Sequence, residues 1–263
     1  MTTLTPSAFA RTVRGEGPGL LLAHGAGGGI EANYGPIMEG LAARHTVVGI
    51  DYPGSGTTPA VQGRLEVDAL VDQLISAADA EGLDNFAVSG YSLGGPVAIR
   101  LAVRYPERVS ALVLSATFAY ADTRTELAAS IWQQLYEAGQ HAVLAAYLNL
   151  MALGEPALNA LTRAQVHTAA EQLAPVLPAG TSEQVDLVRR IDVRGDLGRI
   201  TAPTLAIVTT ADPLISPSLQ RELAAAIPAA EIAEIPTGHL PFAEQPEHWL
   251  KLISNFLEQN AKN

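Results

Sequence analysis

Four short stretches carry residues whose type and setting could do chemistry. The first is Gly90–Tyr91–Ser92–Leu93–Gly94, which follows the apolar run Phe86–Val88 and precedes a helical pattern. A serine on a sharp strand-to-helix bend projects above the sheet, and small neighbours keep the bend free of clashes. The first turn of the following helix adds positive potential for a developing anion. The same serine could also be an ordinary hydroxyl in a glycine turn. The second stretch is His24–Gly25–Ala26–Gly27–Gly28–Gly29, directly after Leu20–Ala23. Its glycines let the backbone turn freely and expose N–H groups. That of Ala26, paired with that of Leu93, could hold an oxyanion. A glycine-rich loop could instead cradle phosphate, but this one lacks a following Lys-Ser/Thr and a convincing helix. His24 itself reads as a structural support of the loop.

The third stretch is Pro236–Thr237–Gly238–His239–Leu240–Pro241, where a histidine sits in a loop after an apolar run. Imidazole titrates near neutrality and serves as a general base. The fourth is Thr209–Thr210–Ala211–Asp212–Pro213. A carboxylate there could fix the tautomer of His239 and stabilise its imidazolium. An Asp-Pro turn would account for it equally simply.

Short apolar runs at Leu20–Ala23, Thr46–Ile50, Phe86–Val88, Ala111–Leu114, Thr204–Val208 and Glu231–Ile235 position these residues. The middle runs are nearly continuous, which suits strands buried on both faces. Helical patterns lie between them, at Leu65–Ala80, Val97–Tyr105, Leu219–Ala226 and Trp249–Leu257. Such alternation predicts a mostly parallel sheet flanked by helices. It stops between Phe118 and Arg199, where the chain reads as helices over Thr125–Ala138, Ala142–Leu150, Pro156–Leu161 and Ala164–Ala174. The expected organisation is a core of residues 1–117 and 200–263 with a helical cap of residues 118–199.

Composition narrows the function. Hydrophobic residues make up 48% of the 263, enough for a large core. With 16 Lys and Arg against 27 Asp and Glu, the net charge of −11 disfavours nucleic acid and anionic membranes as partners. The absence of cysteine removes thiolate nucleophiles and Cys-based metal sites. Nothing reads as a signal peptide or a membrane span. The expectation is a cytoplasmic protein, monomer or homodimer, that takes a small-molecule substrate without cofactor or metal.

Taken together the motifs resemble the α/β-hydrolase superfamily. The glycine loop, Asp51–Tyr52–Pro53–Gly54–Ser55–Gly56, the Ser92 bend, Asp212 and His239 run in family order from about Leu20 to Leu257. The resemblance implies a sheet of about eight strands, the cap inserted after the sixth, and a Ser92–His239–Asp212 triad. It also implies an oxyanion hole at Ala26 and Leu93. Asp51 resembles a structural corner of the family. Relatives that dehalogenate or open epoxides carry aspartate at the bend; serine favours acyl chemistry. The expected activity is hydrolysis of a small to medium, hydrophobic ester, lactone or related acyl compound through an acyl-enzyme. A lyase or cyclase using His239 as base, or a non-catalytic binder, fits the same residues. Gly27, Tyr91, Phe118, Trp132, Tyr136 and Leu240 are candidates for the substrate pocket.

Overall fold

A computed structural model of the chain describes residues 9–61 and 63–260. Its strands are β1 (Arg11–Arg14), β2 (Gly19–Ala23), β3 (Thr46–Ile50), β4 (Phe86–Tyr91), β5 (Val109–Ser115), β6 (Thr204–Thr209) and β7 (Glu231–Ile235). They form one sheet in the order β1-β3-β2-β4-β5-β6-β7. Every pairing is parallel except the antiparallel one between β1 and β3 at the edge. The described residues thus supply seven strands rather than about eight. Ser7–Arg14 carries only a faint strand signal in the sequence; β1 forms from Arg11 onward, and Ser7 and Ala8 lie outside the described residues.

Burial explains the strand sequences. Leu20, Leu21 and Leu22 are each fully buried, contributing about 2 kcal/mol apiece on transfer from water. Because side chains alternate, Leu20 and Leu22 join one core layer while Leu21 and Ala23 join the other. Helices α1 (Ile30–Ala42), α2 (Val67–Ala80) and α3 (Gly94–Arg104) follow β2, β3 and β4 in turn. Between β5 and β6 the chain forms α4 (Thr123–Glu137), α5 (His141–Ala152), α6 (Glu155–Asn159), α7 (Arg163–Leu173), α8 (Thr181–Arg190) and α9 (Arg194–Leu197). The remainder forms α10 (Pro217–Ala225), α11 (Pro241–Glu244) and α12 (Pro246–Asn260). The inserted helices therefore follow the fifth described strand. Helices α1 and α12 cover one face of the sheet; α2, α3 and α10 cover the other.

Four helices differ from the sequence reading: α1, α8 and the four-residue α9 and α11. A helix does follow the glycine loop, although Gly35 and Pro36 inside α1 weaken its signal. Its start is supported from a distance: Asp51 Oδ1 accepts the Ile30 N–H at 2.7 Å. Helix α8 also escaped the pattern, because seven of its ten residues are polar or charged.

Trp249 on α12 is fully buried and its indole N–H donates to Ser115 Oγ at 2.9 Å, pinning α12 to the end of β5. Trp249→Phe removes that donor and leaves space behind. We expect a loss of about 2 kcal/mol in urea unfolding, with the far-ultraviolet spectrum unchanged.

Candidate active site

Two residues, Ser92 and Leu93, join β4 to α3. Ser92 adopts φ +52°, a left-handed conformation that costs a non-glycine residue about 1 kcal/mol. Surrounding hydrogen bonds hold it there. The Ser92 N–H donates to the Ser115 carbonyl at 3.1 Å. Its own carbonyl accepts from Thr117 Oγ1 at 2.6 Å and from the Gly95 N–H at 2.9 Å. A Cβ on Gly94 would lie 1.9 Å from the Ala23 carbonyl oxygen, so the close approach of α3 to β2 requires glycine there.

Three side chains that are far apart in sequence meet at this bend. Ser92 Oγ lies 2.9 Å from His239 Nε2, and His239 Nδ1 lies 2.8 Å from Asp212 Oδ2. Asp212 Oδ1 accepts the Leu214 and Ile215 N–H groups, each at 2.9 Å. Its Oδ2 also takes the Thr209 hydroxyl at 2.9 Å and Gln220 Nε2 at 3.2 Å. A carboxylate so surrounded accepts from His239 Nδ1–H, which leaves Nε2 as the acceptor for the serine hydroxyl. The His239 backbone is held as firmly: its N–H donates to the Ala152 carbonyl at 2.6 Å, and its carbonyl accepts from Tyr91 Oη at 2.9 Å.

The glycine loop lies opposite. The Gly25 N–H donates to Asn33 Oδ1 and the Gly27 N–H to Gln184 Oε1, both at 2.9 Å. The intervening Ala26 N–H has no acceptor among the described residues, and neither has that of Leu93. Two unpaired donors, one on each side of the serine, suit a negatively charged oxygen. Gln184, fully buried on α8, also donates to the Pro53 carbonyl at 3.1 Å and to Ser55 Oγ at 2.9 Å.

His24 supports the loop. Its Nε2 accepts the Tyr52 N–H at 2.9 Å, which places the proton on Nδ1 for donation to the Gly25 carbonyl at 2.7 Å. The ring stacks on Tyr52 with centroids 3.8 Å apart. Asp51 caps α1 and takes no part in the meeting of Ser92, His239 and Asp212.

Ala26, Ser92, Phe118 and Trp132 line a cavity of about 20 Å³ together with Thr125, Ala129, Val185, Val188, Leu214 and Ile215. Four of the pocket candidates lie elsewhere. Tyr91 points away from the cavity, because the pleat alternates; it packs against His239, Phe242 and Trp249. Tyr136 stacks on His141 and donates to the Pro178 carbonyl at 2.9 Å. Leu240 caps α11. Gly27 sits beneath the Trp132 indole, where a Cβ would come within 2.5 Å of the ring. Sequence reasoning missed Thr125, although its spacing from Ala129 and Trp132 places all three on one helix face. It also missed Glu244, whose Oε1 takes the N–H groups of Gly154 at 3.1 Å and Gly238 at 3.0 Å.

The sequence profile of the alpha/beta hydrolase fold matches residues 18–246. The chain belongs to this family. Among its relatives, a pyrrolizixenacetamide deacetylase of Xenorhabdus hominickii is 33% identical over 247 residues, covering 93% of this chain and 92% of that one. A pimeloyl-[acyl-carrier protein] methyl ester esterase of Chromobacterium violaceum is 29% identical over 265 residues, covering 96% and 99%. The crystal structure of the enol-lactonase from Burkholderia xenovorans LB400 superposes with a TM-score of 0.85 at 20% identity, covering 95% of this alpha/beta hydrolase and 96% of that chain. No helix among the described residues is long and apolar enough to cross a membrane.

Burial pushes the His24 imidazole down to about 4 from its ordinary 6.5. The fold therefore favours neutral His24. Its contribution is complete above pH 6.5 and is lost as the pH falls toward 4, amounting to about 3 kcal/mol. His24→Gln keeps an acceptor for the Tyr52 N–H but does not titrate. Urea unfolding at pH 7 and pH 4.5 should show a shallower pH dependence in the variant than in the native protein.

Proposed function

We propose that this alpha/beta hydrolase is a serine hydrolase that cleaves small neutral acyl compounds through an acyl-enzyme. The observation that carries the reading is the relay Asp212–His239–Ser92, with its two contacts of 2.8 and 2.9 Å. Ser92 Oγ attacks the carbonyl carbon while His239 Nε2 takes its proton. The carbonyl oxygen becomes an oxyanion between the N–H groups of Ala26 and Leu93. The carbonyl re-forms, the bond to the leaving group breaks, and His239 returns the proton to that group. Water then enters, loses a proton to His239 and attacks the acyl carbon; the bond to Ser92 Oγ breaks, His239 returns the proton to that oxygen, and the acid leaves. Asp212 holds the Nδ1 proton throughout and balances the imidazolium. No cofactor enters this cycle.

Residues 118–199 act in this reading as a cap over the site, since α4 and α8 supply the cavity wall opposite Ser92. The size of that cavity supports a short acyl group: about 20 Å³ is room for little more than one water. No charged side chain lines it, which favours a neutral group. The 33% identity to a deacetylase supports acetyl-sized acyl groups and adds an amide to the ester as a possible scissile bond. The esterase relative supports the ester.

Labelling with a fluorophosphonate tests the nucleophile, and p-nitrophenyl esters of increasing chain length test the acyl site. The native protein should be labelled at Ser92 and should turn over acetate faster than octanoate. Ser92→Ala should abolish labelling and lower kcat by about 10⁶ while keeping the fold. Comparable turnover by folded Ser92→Ala would refute the covalent route. Asp212→Asn should lower kcat by about 10⁴, because the amide no longer fixes the imidazole tautomer.

A further inference from the structure

Helix α4 turns one stripe toward Ser92. Thr125, Ala129 and Trp132 recur at intervals of four and three residues and all line the cavity. Apart from Thr125, Trp132 and Ser92, that cavity is walled by alanine, valine, leucine, isoleucine and phenylalanine. Two of the lining residues carry buried polar atoms with no hydrogen-bond partner, Thr125 Oγ1 and Trp132 Nε1. Thr125 is only 2% exposed. The other tryptophan shows how an indole N–H is ordinarily treated in this fold, since Trp249 donates to Ser115 Oγ. Buried polar atoms find partners in folded proteins, and exceptions call for an explanation.

We propose that Thr125 and Trp132 form a polar subsite that receives a neutral hydrogen-bond acceptor carried by the acyl group. This rests on the reading of Ser92 as nucleophile, which places the acyl group in this cavity. Trp132 Nε1 can only donate, so its partner must be an acceptor. The Thr125 hydroxyl can donate to the second lone pair of the same oxygen. No cationic side chain lines the cavity to offset a carboxylate, so the acceptor is uncharged. The small volume keeps it close to the scissile carbonyl. The substrate class is therefore short acyl groups with an ether, hydroxyl or keto oxygen one or two bonds beyond that carbonyl. A plain alkyl chain of equal length offers neither group a partner, the condition under which a site built for hydrogen bonding discriminates.

Methoxyacetyl and butyryl groups differ by one oxygen in place of one methylene, and they isolate the effect. For their p-nitrophenyl esters, kcat/KM divided by the alkaline hydrolysis rate should favour methoxyacetate by about tenfold or more. Thr125→Val and Trp132→Phe should each bring that ratio down several-fold, through a loss for methoxyacetate larger than any change for butyrate. A second measurement needs no turnover. The protein has two tryptophans, so a nitrogen-labelled sample gives two indole N–H signals. That of Trp132, identified by its loss in Trp132→Phe or its persistence in Trp249→Phe, should move on adding methoxyacetamide and stay in place with butyramide. Equal corrected rates for the two esters, with both hydrolysed, would overturn the subsite and leave the hydrolase reading intact. If neither ester were hydrolysed but the indole signal separated the two amides, the subsite would stand and the hydrolase reading would fall. An indole signal that responds alike to both amides, or to neither, would overturn the subsite.

Discussion

The hydrogen bond between Ser92 Oγ and His239 Nε2 depends on a backbone conformation that serine does not prefer. Position 92 sits at positive φ because β4 ends and α3 begins within two residues, above a sheet whose central strands are fully buried. The bend persists because its surroundings over-determine it. The Ser115 carbonyl, the Thr117 hydroxyl and the Gly95 N–H fix its peptide groups. Glycine at 94 lets α3 lie against the Ala23 carbonyl. Strain stored at such a point has to be offset by packing elsewhere, and the two core layers flanking β2 and β4 supply it.

The imidazole is positioned with the same economy. Four donors besides His239 bond to Asp212, so the carboxylate is fixed independently of the imidazole. Tyr91, adjacent to the proposed nucleophile in sequence, reaches beneath the bend and holds the His239 carbonyl. Two adjacent residues thus present a hydroxyl above the sheet and a side-chain anchor for the His239 backbone below it. On the far side of the serine, Asn33 and Gln184 occupy alternate N–H groups of the glycine loop and leave that of Ala26 unpaired.

Much of this could be read from residue types. Ser92 and Asp212 each follow a buried strand and His239 a largely exposed edge strand, all in turns rich in small residues, and tight turns limit what can stand beside them. The six apolar runs correspond to β2–β7, and the helices expected within residues 125–174 correspond to α4–α7. What escaped the reading depends on partners distant in sequence. Helix α1 owes its first turn to Asp51, and Gln184 meets Gly27 across 157 positions. The misplacement of Tyr91 has a geometric cause: nearness in sequence to Ser92 says nothing about which side of a pleated strand a ring occupies. Tyr136 was misplaced because an aromatic residue on an inserted helix serves packing between helices as readily as it lines a cavity.

The segment between β5 and β6 grips the core at three backbone points of the site. Gln184 engages the Gly27 N–H, the Ala152 carbonyl engages the His239 N–H, and Gly154 shares Glu244 with Gly238. Displacement of these helices must therefore break contacts to both the glycine loop and the His239 turn. A shift of that segment is thus transmitted to the Gly27 and His239 peptides together rather than to either alone.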